Sequence, residues 1–222
     1  MNRRFCLLLG AAFLLAANLR ALGDEKDWAP LKLKLPAPVF AGTPKEVRQG
    51  VIMDPPSATP PVIMVPPDAR NIAPKARLTS SDKNATTAML AKITDGDKEA
   101  EEDSVVFLRK GLQWIQFDFG RPEEIFAIAV WHAHDTAKIY RAVIVQVADD
   151  KDFTENVRTL FNNDADNSSG LGAGTDRQYF ETFQGKTIAA KGARARYLRL
   201  YSHGSTDSAM NEYTEVEIYG RD

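Results

Sequence analysis

The sequence predicts an all-β domain, a β-sandwich preceded by a proline-rich extended arm, and three observations carry that prediction. After Asn71 the chain breaks into runs rich in β-branched and aromatic residues: GLQWIQFDFG, EEIFAIAVWHAHD, YRAVIVQVADD, ARARYLRLYSHGS and EYTEVEIYGRD. Each has strand length and is bounded by turn residues, whereas helix-period stretches are scarce. In QWIQFDFG, Ile115, Phe117 and Phe119 share one face while Gln116 and Asp118 share the other, the alternation of a half-buried antiparallel strand. About 150 residues of such strands form one domain with room for a core.

The N-terminus comes first in order. Arg3 and Arg4 precede an apolar run from Phe5 to Ala17, and Ala21-Leu22-Gly23 ends it in small residues. Residues 1–23 therefore read as a cleavable secretory signal. The run is short for a bilayer span, and nothing later is long and apolar enough to cross a membrane. The only cysteine, Cys6, lies inside this signal with no small-residue lipobox before it. The exported chain would have neither thiol nor disulfide, so its fold must hold by its core or by a bound ion. An exported, disulfide-free chain fits a secreted or periplasmic bacterial protein. Loss of Arg3, Arg4 and Arg20 takes the formal charge from −2 to −5; a mildly acidic protein is a poor partner for nucleic acid.

Residues 24–68 are proline-rich, and VIMDPP at Val51 is echoed by VIMVPP at Val62. No helical or strand period persists there, which predicts an extended arm or linker. Its apolar residues, among them Leu31, Leu33, Leu35, Val39, Phe40, Ile63 and Val65, are many for a solvated spacer and fit packing on the domain or a partner.

Several constellations carry possible chemistry. In ITDGD, Asp95 and Asp97 flank a glycine that lets the backbone turn sharply; hard oxygens at that spacing suit Ca²⁺, and an Asp-Gly turn with solvated acids is the plain alternative. In VWHAHD, His132 and His134 alternate along a strand and so project from one face. They could hold a transition metal with Asp135 or His203, hydrogen-bond sugar hydroxyls beside Trp131, Tyr140 or Tyr179, or simply bond backbone at a strand end. The stretch FNNDADNSSGLGAGTD, 161–176, has the glycines of a phosphate loop but no preceding strand, following helix or nearby lysine. Its Asp164-x-Asp166-x-Ser168 mimics part of a calcium loop, yet the twelfth position is Thr175 rather than glutamate. A long surface loop near a ligand-bearing end is the simplest reading. Trp114 reads as packing, and Arg194, Arg196 and Arg199 as surface ion pairs. No nucleophile-elbow motif appears and no pair of acids is singled out for hydrolysis, so the chain is not expected to be an enzyme.

Taken in order, the pieces Asn71-Ile72-Ala73, ITDGD, WIQFDFG, Ile125 to Val130, YRAVIVQVADD, ARYLRLYS and EVEIYG resemble the discoidin or coagulation-factor C-type domain family. This is the galactose-binding-like fold, which includes many bacterial carbohydrate-binding modules. The resemblance covers roughly residues 69–222 and implies an eight-stranded jelly-roll β-sandwich. It also implies a structural calcium held by the Lys92 carbonyl, Asp95, Asp97, Ser104 in place of the usual threonine, and Glu215. Glu215 and Glu217 share one parity in EVEIYG, so parity alone does not separate ligand from solvent face. Two departures are evident: the Thr-x-Trp that usually follows the DG turn is replaced by EEDSVVFL, and the 161–176 insertion is longer and more acidic than usual. The expected function is non-catalytic binding of a carbohydrate or glycoconjugate outside the cytoplasm, with His132, His134, Tyr140, Arg141, Tyr179 and His203 contacting ligand. The rival is an adhesion or protein-interaction module of an envelope or secreted assembly, docked through the arm.

Overall fold

The computed structural model describes residues 27–38, 53–54 and 59–221; the signal read at residues 1–23 and the arm residues Val39 and Phe40 lie outside the described residues. Two long strands organise everything else. In β6 (Gln113–His132) and β9 (Lys186–Ser202), each strand runs through two layers and turns a corner on the way. The first part of β6, 113–118, pairs with the last part of β9, 197–202; the second part, 123–132, pairs with the first part of β9, 186–195. The corner in β6 falls at Gly120-Arg121-Pro122, where Gly120 takes a φ of 78° that only glycine adopts without strain. Its register to β9 shifts between Asp118 and Glu123.

Around this pair the remaining strands are antiparallel. In the first layer, β4 (Arg77–Ser80) pairs with the first half of β6, β7 (Ile144–Ala148) with β9, and β8 (Arg158–Asn162) with β7. In the second layer, β10 (Asn211–Arg221) pairs with the second half of β6, and β3 (Arg70–Asn71) and β5 (Val106–Leu108) pair with β10. A short helix, α1 (Thr87–Ala91), capped by the Thr86 hydroxyl, leads into the turn that carries Asp95. The expected all-β sandwich is borne out.

The alternation in the sequence explains the core. Ile115, Phe117, Leu198, Leu200, Val145 and Val147 from the first layer meet Ile125, Ile128, Val130, Ile188, Val216 and Ile218 from the second in one buried cluster. Burial on this scale is the main favourable term in folding, with each full-sized aliphatic side chain contributing roughly 1.5–3 kcal/mol.

The second layer has no solvent face along β6. From Ile125 to Val130 every residue is buried, because the arm covers the side turned away from the core. Strands β1 (Ala29–Pro30) and β2 (Met64–Val65) form a small antiparallel ribbon, extended by the Leu31 amide donating to the Ile63 carbonyl at 2.8 Å. Ile63 and Val65, with Trp28 and Leu31, pack on Phe126, Ala127 and Tyr219. Trp28 meets the Phe126 ring edge-on at 5.4 Å between centroids. The described part of the arm is thus packed on the domain rather than trailing from it.

If the arm is held by this contact, Phe126→Ala should cost about 3–5 kcal/mol and open 27–38 to limited proteolysis. A loss below about 1 kcal/mol with unchanged cleavage would contradict the assignment.

Candidate functional site

The acidic turn and the last strand meet, as expected. Gly96 donates its amide to Glu215 Oε2 at 3.1 Å, Asp97 donates its amide to Asp95 Oδ1 at 2.9 Å, and Ser104 Oγ donates to Asp97 Oδ2 at 2.7 Å. Lys92 stands in the 3-10 turn just before, its ammonium bonded to the Asp103 carbonyl. Asp95, Asp97, Ser104 and Glu215 therefore share one corner of the second layer. Val216 and Ile218 face the core, so Glu215 and Glu217 share the opposite face of β10, and both are buried there. Lys98, itself buried, answers only one of them directly: its ammonium donates to Glu217 Oε1 at 2.7 Å and to the Lys34 carbonyl of the arm at 2.8 Å, above the Trp131 ring.

Among the described residues Glu215 is a buried carboxyl without an ion-pair partner of its own. Burial is the largest cause raising it from 4.5 to about 8; the Gly96 amide opposes the rise, the Glu217 and Asp95 carboxylates add to it, and Lys98 pulls back. A hard, all-oxygen donor set around such a group fits calcium in kind. Among the described residues no three acids, histidines or cysteines form a ready metal cluster, so an ion would also draw on Ser104 and backbone carbonyls.

The predicted ligand-binding residues divide sharply. His132 is fully buried: its Nδ1 meets Glu181 Oε2 at 2.9 Å, and its ring lies between Tyr140 and Tyr213, with centroids 4.2 and 4.6 Å away. His134 is also buried and bonds the Lys98 carbonyl through Nε2 at 2.8 Å. The two imidazoles take different partners and do not converge as metal ligands. Tyr140 donates to the Ala133 carbonyl and to Glu212 Oε2, which also accepts from Lys138. Burial, then the Glu212 and Glu181 charges, holds the Tyr140 hydroxyl well above its ordinary pKa, so it stays a donor. Tyr179 is buried as well, its ring under the Lys186 ammonium at 4.7 Å. His132, His134 and Tyr140, expected to contact ligand, are all buried in this structure: His132 ends β6, His134 and Tyr140 belong to the loop 133–142 that folds over it, and Glu181 closes the cover from the loop 163–185. Trp131 is likewise interior, donating from Nε1 to the Phe183 carbonyl at 3.0 Å.

Arg141 and His203 remain at the surface, side by side. The Arg141 amide donates to the Gly204 carbonyl at 2.9 Å and the His203 amide to the Arg141 carbonyl at 2.8 Å. The Thr206 amide and hydroxyl clasp both backbone groups of Ile139. Both side chains are half-exposed, and among the described residues neither the guanidinium nor the imidazole has a partner. Lys138, Glu181 and Glu212, unremarked in the sequence, brace this end from inside: the Glu181 amide donates to the Lys138 carbonyl, and the Lys138 ammonium to Asp135 and Glu212.

The glycine-rich loop 161–176 closes on itself. Asp164 is buried and accepts from the Ser168 amide, the Ser168 hydroxyl and the Ser169 amide, while its carbonyl accepts from Gly174. A side chain at 174 would collide with Asn162, whose carbonyl oxygen stands 2.1 Å from the Cβ position. Elsewhere Arg196 forms a two-pronged pair with Asp118, and Arg199 lies between the Trp114 and Phe153 rings. Trp114 therefore presents a covered ring.

No protein-family model matches the chain, and no curated protein does. Among solved structures, a family 89 glycoside hydrolase from Clostridium perfringens superposes with a TM-score of 0.50 at 15% identity, over 68% of this chain and 15% of that one. The chain thus spans a small part of that hydrolase. A chitosan-binding module derived from a Paenibacillus chitosanase/glucanase (TM-score 0.48, 16% identity, 68% of this chain and 99% of that one) and a Streptococcus pneumoniae fucose-binding module (0.47, 15%, 69% and 99%) are similar at a lower level. Strand order, the corner-turning pair and the hydrolase superposition define the fold class as a galactose-binding-like β-sandwich. At that level the resemblance read from the sequence holds.

In the presence of a chelator, Glu215 sets a pH dependence. Its folded value, about 8, lies above the ordinary 4.5, so the native state binds the proton more tightly. Its stabilising contribution is complete below about pH 4.5 and is lost as pH rises through 8. The melting temperature should fall across that window and Glu215→Gln should flatten the fall; an identical profile in the variant would contradict it.

Proposed function

We propose that the protein is a non-catalytic carbohydrate-recognition module that works outside the cytoplasm, secreted or periplasmic, and is stabilised by calcium at the acidic corner. The observation that carries the reading is the Arg141–His203 pair: two unengaged donor side chains held by reciprocal backbone bonds at one loop end of a galactose-binding-like sandwich. A guanidinium offers several N–H donors in a fixed plane and an imidazole offers one donor and one acceptor, which suits adjacent sugar hydroxyls. The buried braces beneath keep both positions rigid, so little order is lost on binding. Calcium, with Asp95, Asp97, Ser104, Glu215 and the Lys92 carbonyl as its holders, would keep Glu215 ionised and lock the α1 turn to β10.

A protein-interaction reading has one observation in its favour. Leu35, Val62 and Met64 of the arm are exposed, and an apolar groove of about 230 Å³ runs between Leu33, Leu35, Pro61 and Val62. An envelope or secreted partner would use this strip rather than the loop end.

A glycan array probed with the calcium-loaded protein tests the primary reading. Saccharide binding should appear, and Arg141→Ala or His203→Ala should weaken it by roughly 10- to 100-fold, the loss of one or two hydrogen bonds to a ligand, with melting unchanged. A silent array together with an envelope protein captured through the arm would replace it with the second reading. Independently, Asp95→Ala should lower the melting temperature and abolish its calcium response; equal melting of both proteins with and without chelator would remove calcium.

A further inference from the structure

A hollow of about 240 Å³ opens beside the β6 corner, lined by Arg70, Ile72, Lys75, Phe119, Arg121 and Glu123. Both halves of β6 run between this corner and the loop end: Gln113 pairs with Ser202, and His132 leads into the loop 133–142. The hollow therefore lies at the opposite end of the sandwich from Arg141 and His203. Two rigid devices place its groups. On one side the Asn71 carboxamide oxygen accepts from the Ala73 and Ile218 amides, which ties the 3-10 turn Ala73–Lys75 to β10. On the other side the Gly120 amide donates to Asp118 Oδ1 at 2.8 Å, and Arg121, preceding Pro122, is held extended. Ile72 belongs to the core and Phe119 packs against it, so the two supply apolar surface between the charged groups.

The charges around the hollow do not balance. Among the described residues three of its four ionisable lining groups are cations, and the buried Glu123 is its only acid. Glu123 Oε1 accepts one N–H of Arg121, from Nε at 2.9 Å, whereas a guanidinium carries five. Arg70 and Arg121 hold other contacts as well, which orients them. The acids nearby are answered by other cations: Arg221 pairs with Glu124 at 2.7 Å and with Asp68 at 3.2 Å, and Arg196 takes both oxygens of Asp118. The Lys75 ammonium is exposed and has no partner among the described residues. The local sign is thus opposite to that of the whole chain, whose formal charge is −2. Guanidinium and ammonium groups converging on one hollow select an oxyanion. A volume of about 240 Å³ equals roughly eight water molecules' share of the liquid, room for a single sugar ring with its acidic substituent.

We propose that this hollow is a second saccharide subsite, selective for an acidic sugar residue, a pyranose that carries a carboxylate. The carboxylate takes the Lys75 ammonium and N–H groups of Arg121 and Arg70, and the C–H face of the ring rests on Phe119, which is half-exposed. It rests on the reading of the protein as a saccharide binder and adds a charged ligand class at the opposite end of the sandwich.

The test is isothermal titration of the full chain with D-galacturonate and D-glucuronate, with D-galactose and D-glucose as their neutral counterparts and acetate as the bare carboxylate. It uses wild type, Lys75→Glu, Lys75→Glu with Arg121→Gln, and Arg141→Ala with His203→Ala. The proposal expects at least one uronate to bind 10-fold or more tightly than its neutral counterpart and than acetate. Its affinity should fall 10-fold or more in the double corner variant and persist in the loop-end variant. Because the Lys75 side chain has no partner to lose, Lys75→Glu alone should weaken uronate binding with the melting temperature unchanged. Binding lost only in the loop-end variant overturns the hollow and leaves the proposed function standing. Equal affinity for a uronate and acetate, or for a uronate and its neutral counterpart, overturns the acidic-sugar class. Binding of neither uronate to wild type overturns the subsite, while the glycan array still judges the loop end.

Discussion

A strand that is apolar on both faces must be covered twice, and the second half of β6 imposes that constraint on the whole molecule. Its inner face is met by the first layer through Ile115, Phe117, Leu198 and Leu200. Its outer face is met by Trp28, Leu31, Ile63 and Val65 of the arm. The strand could not sit in water with Phe126 and Ala127 bare, so the arm is a third layer of the fold by the logic of burial. The same covering makes Glu215, Glu217 and Lys98 interior groups and lets the Lys34 carbonyl take one of the Lys98 hydrogen bonds.

From that burial follows the electrostatic character of the second layer. Two carboxylates and one ammonium are held in low-dielectric surroundings, where an unanswered charge is expensive. Glu217 has Lys98 and the Tyr219 hydroxyl, while among the described residues Glu215 has a single backbone amide. A group in that position either keeps its proton or takes a cation, and this is the physical reason for reading the corner as an ion site. The loop end is built differently. Its buried groups Lys138, Glu212, Tyr140 and Asn211 are tied by hydrogen bonds, while His132 Nε2, His134 Nδ1 and Glu181 Oε1 are buried without a partner among the described residues, and the Arg141 and His203 side chains stand outside.

Some of this was legible from residues alone and some was not. The alternation of QWIQFDFG gives strand, face and core correctly, because period two is local. The meeting of the Asp95 turn with Glu215 was legible through the resemblance, since the bond that joins them, from the Gly96 amide to Glu215, spans 119 residues of separation. The unbroken run IFAIAV read as a strand, but its lack of polar alternation is the trace of a second cover, and that trace points to the apolar arm residues Leu31, Ile63 and Val65. The depth of His132, His134 and Tyr140 had no such trace. Burial there comes from loops 133–142 and 163–185 folding over a strand end, and the ties that hold them, such as Glu181 to His132, join residues 49 apart with no motif between them.

The claim on which the rest turns is that the arm is part of the cooperative fold. Amide hydrogen exchange of the full chain, followed by mass spectrometry, measures it directly. The Leu31 amide, bonded to the Ile63 carbonyl, and the peptides around Met64–Val65 should be protected far beyond a free chain and open together with β6 and β10. Exchange of those peptides at the rate of an unstructured segment, while β6 stays protected, would contradict it.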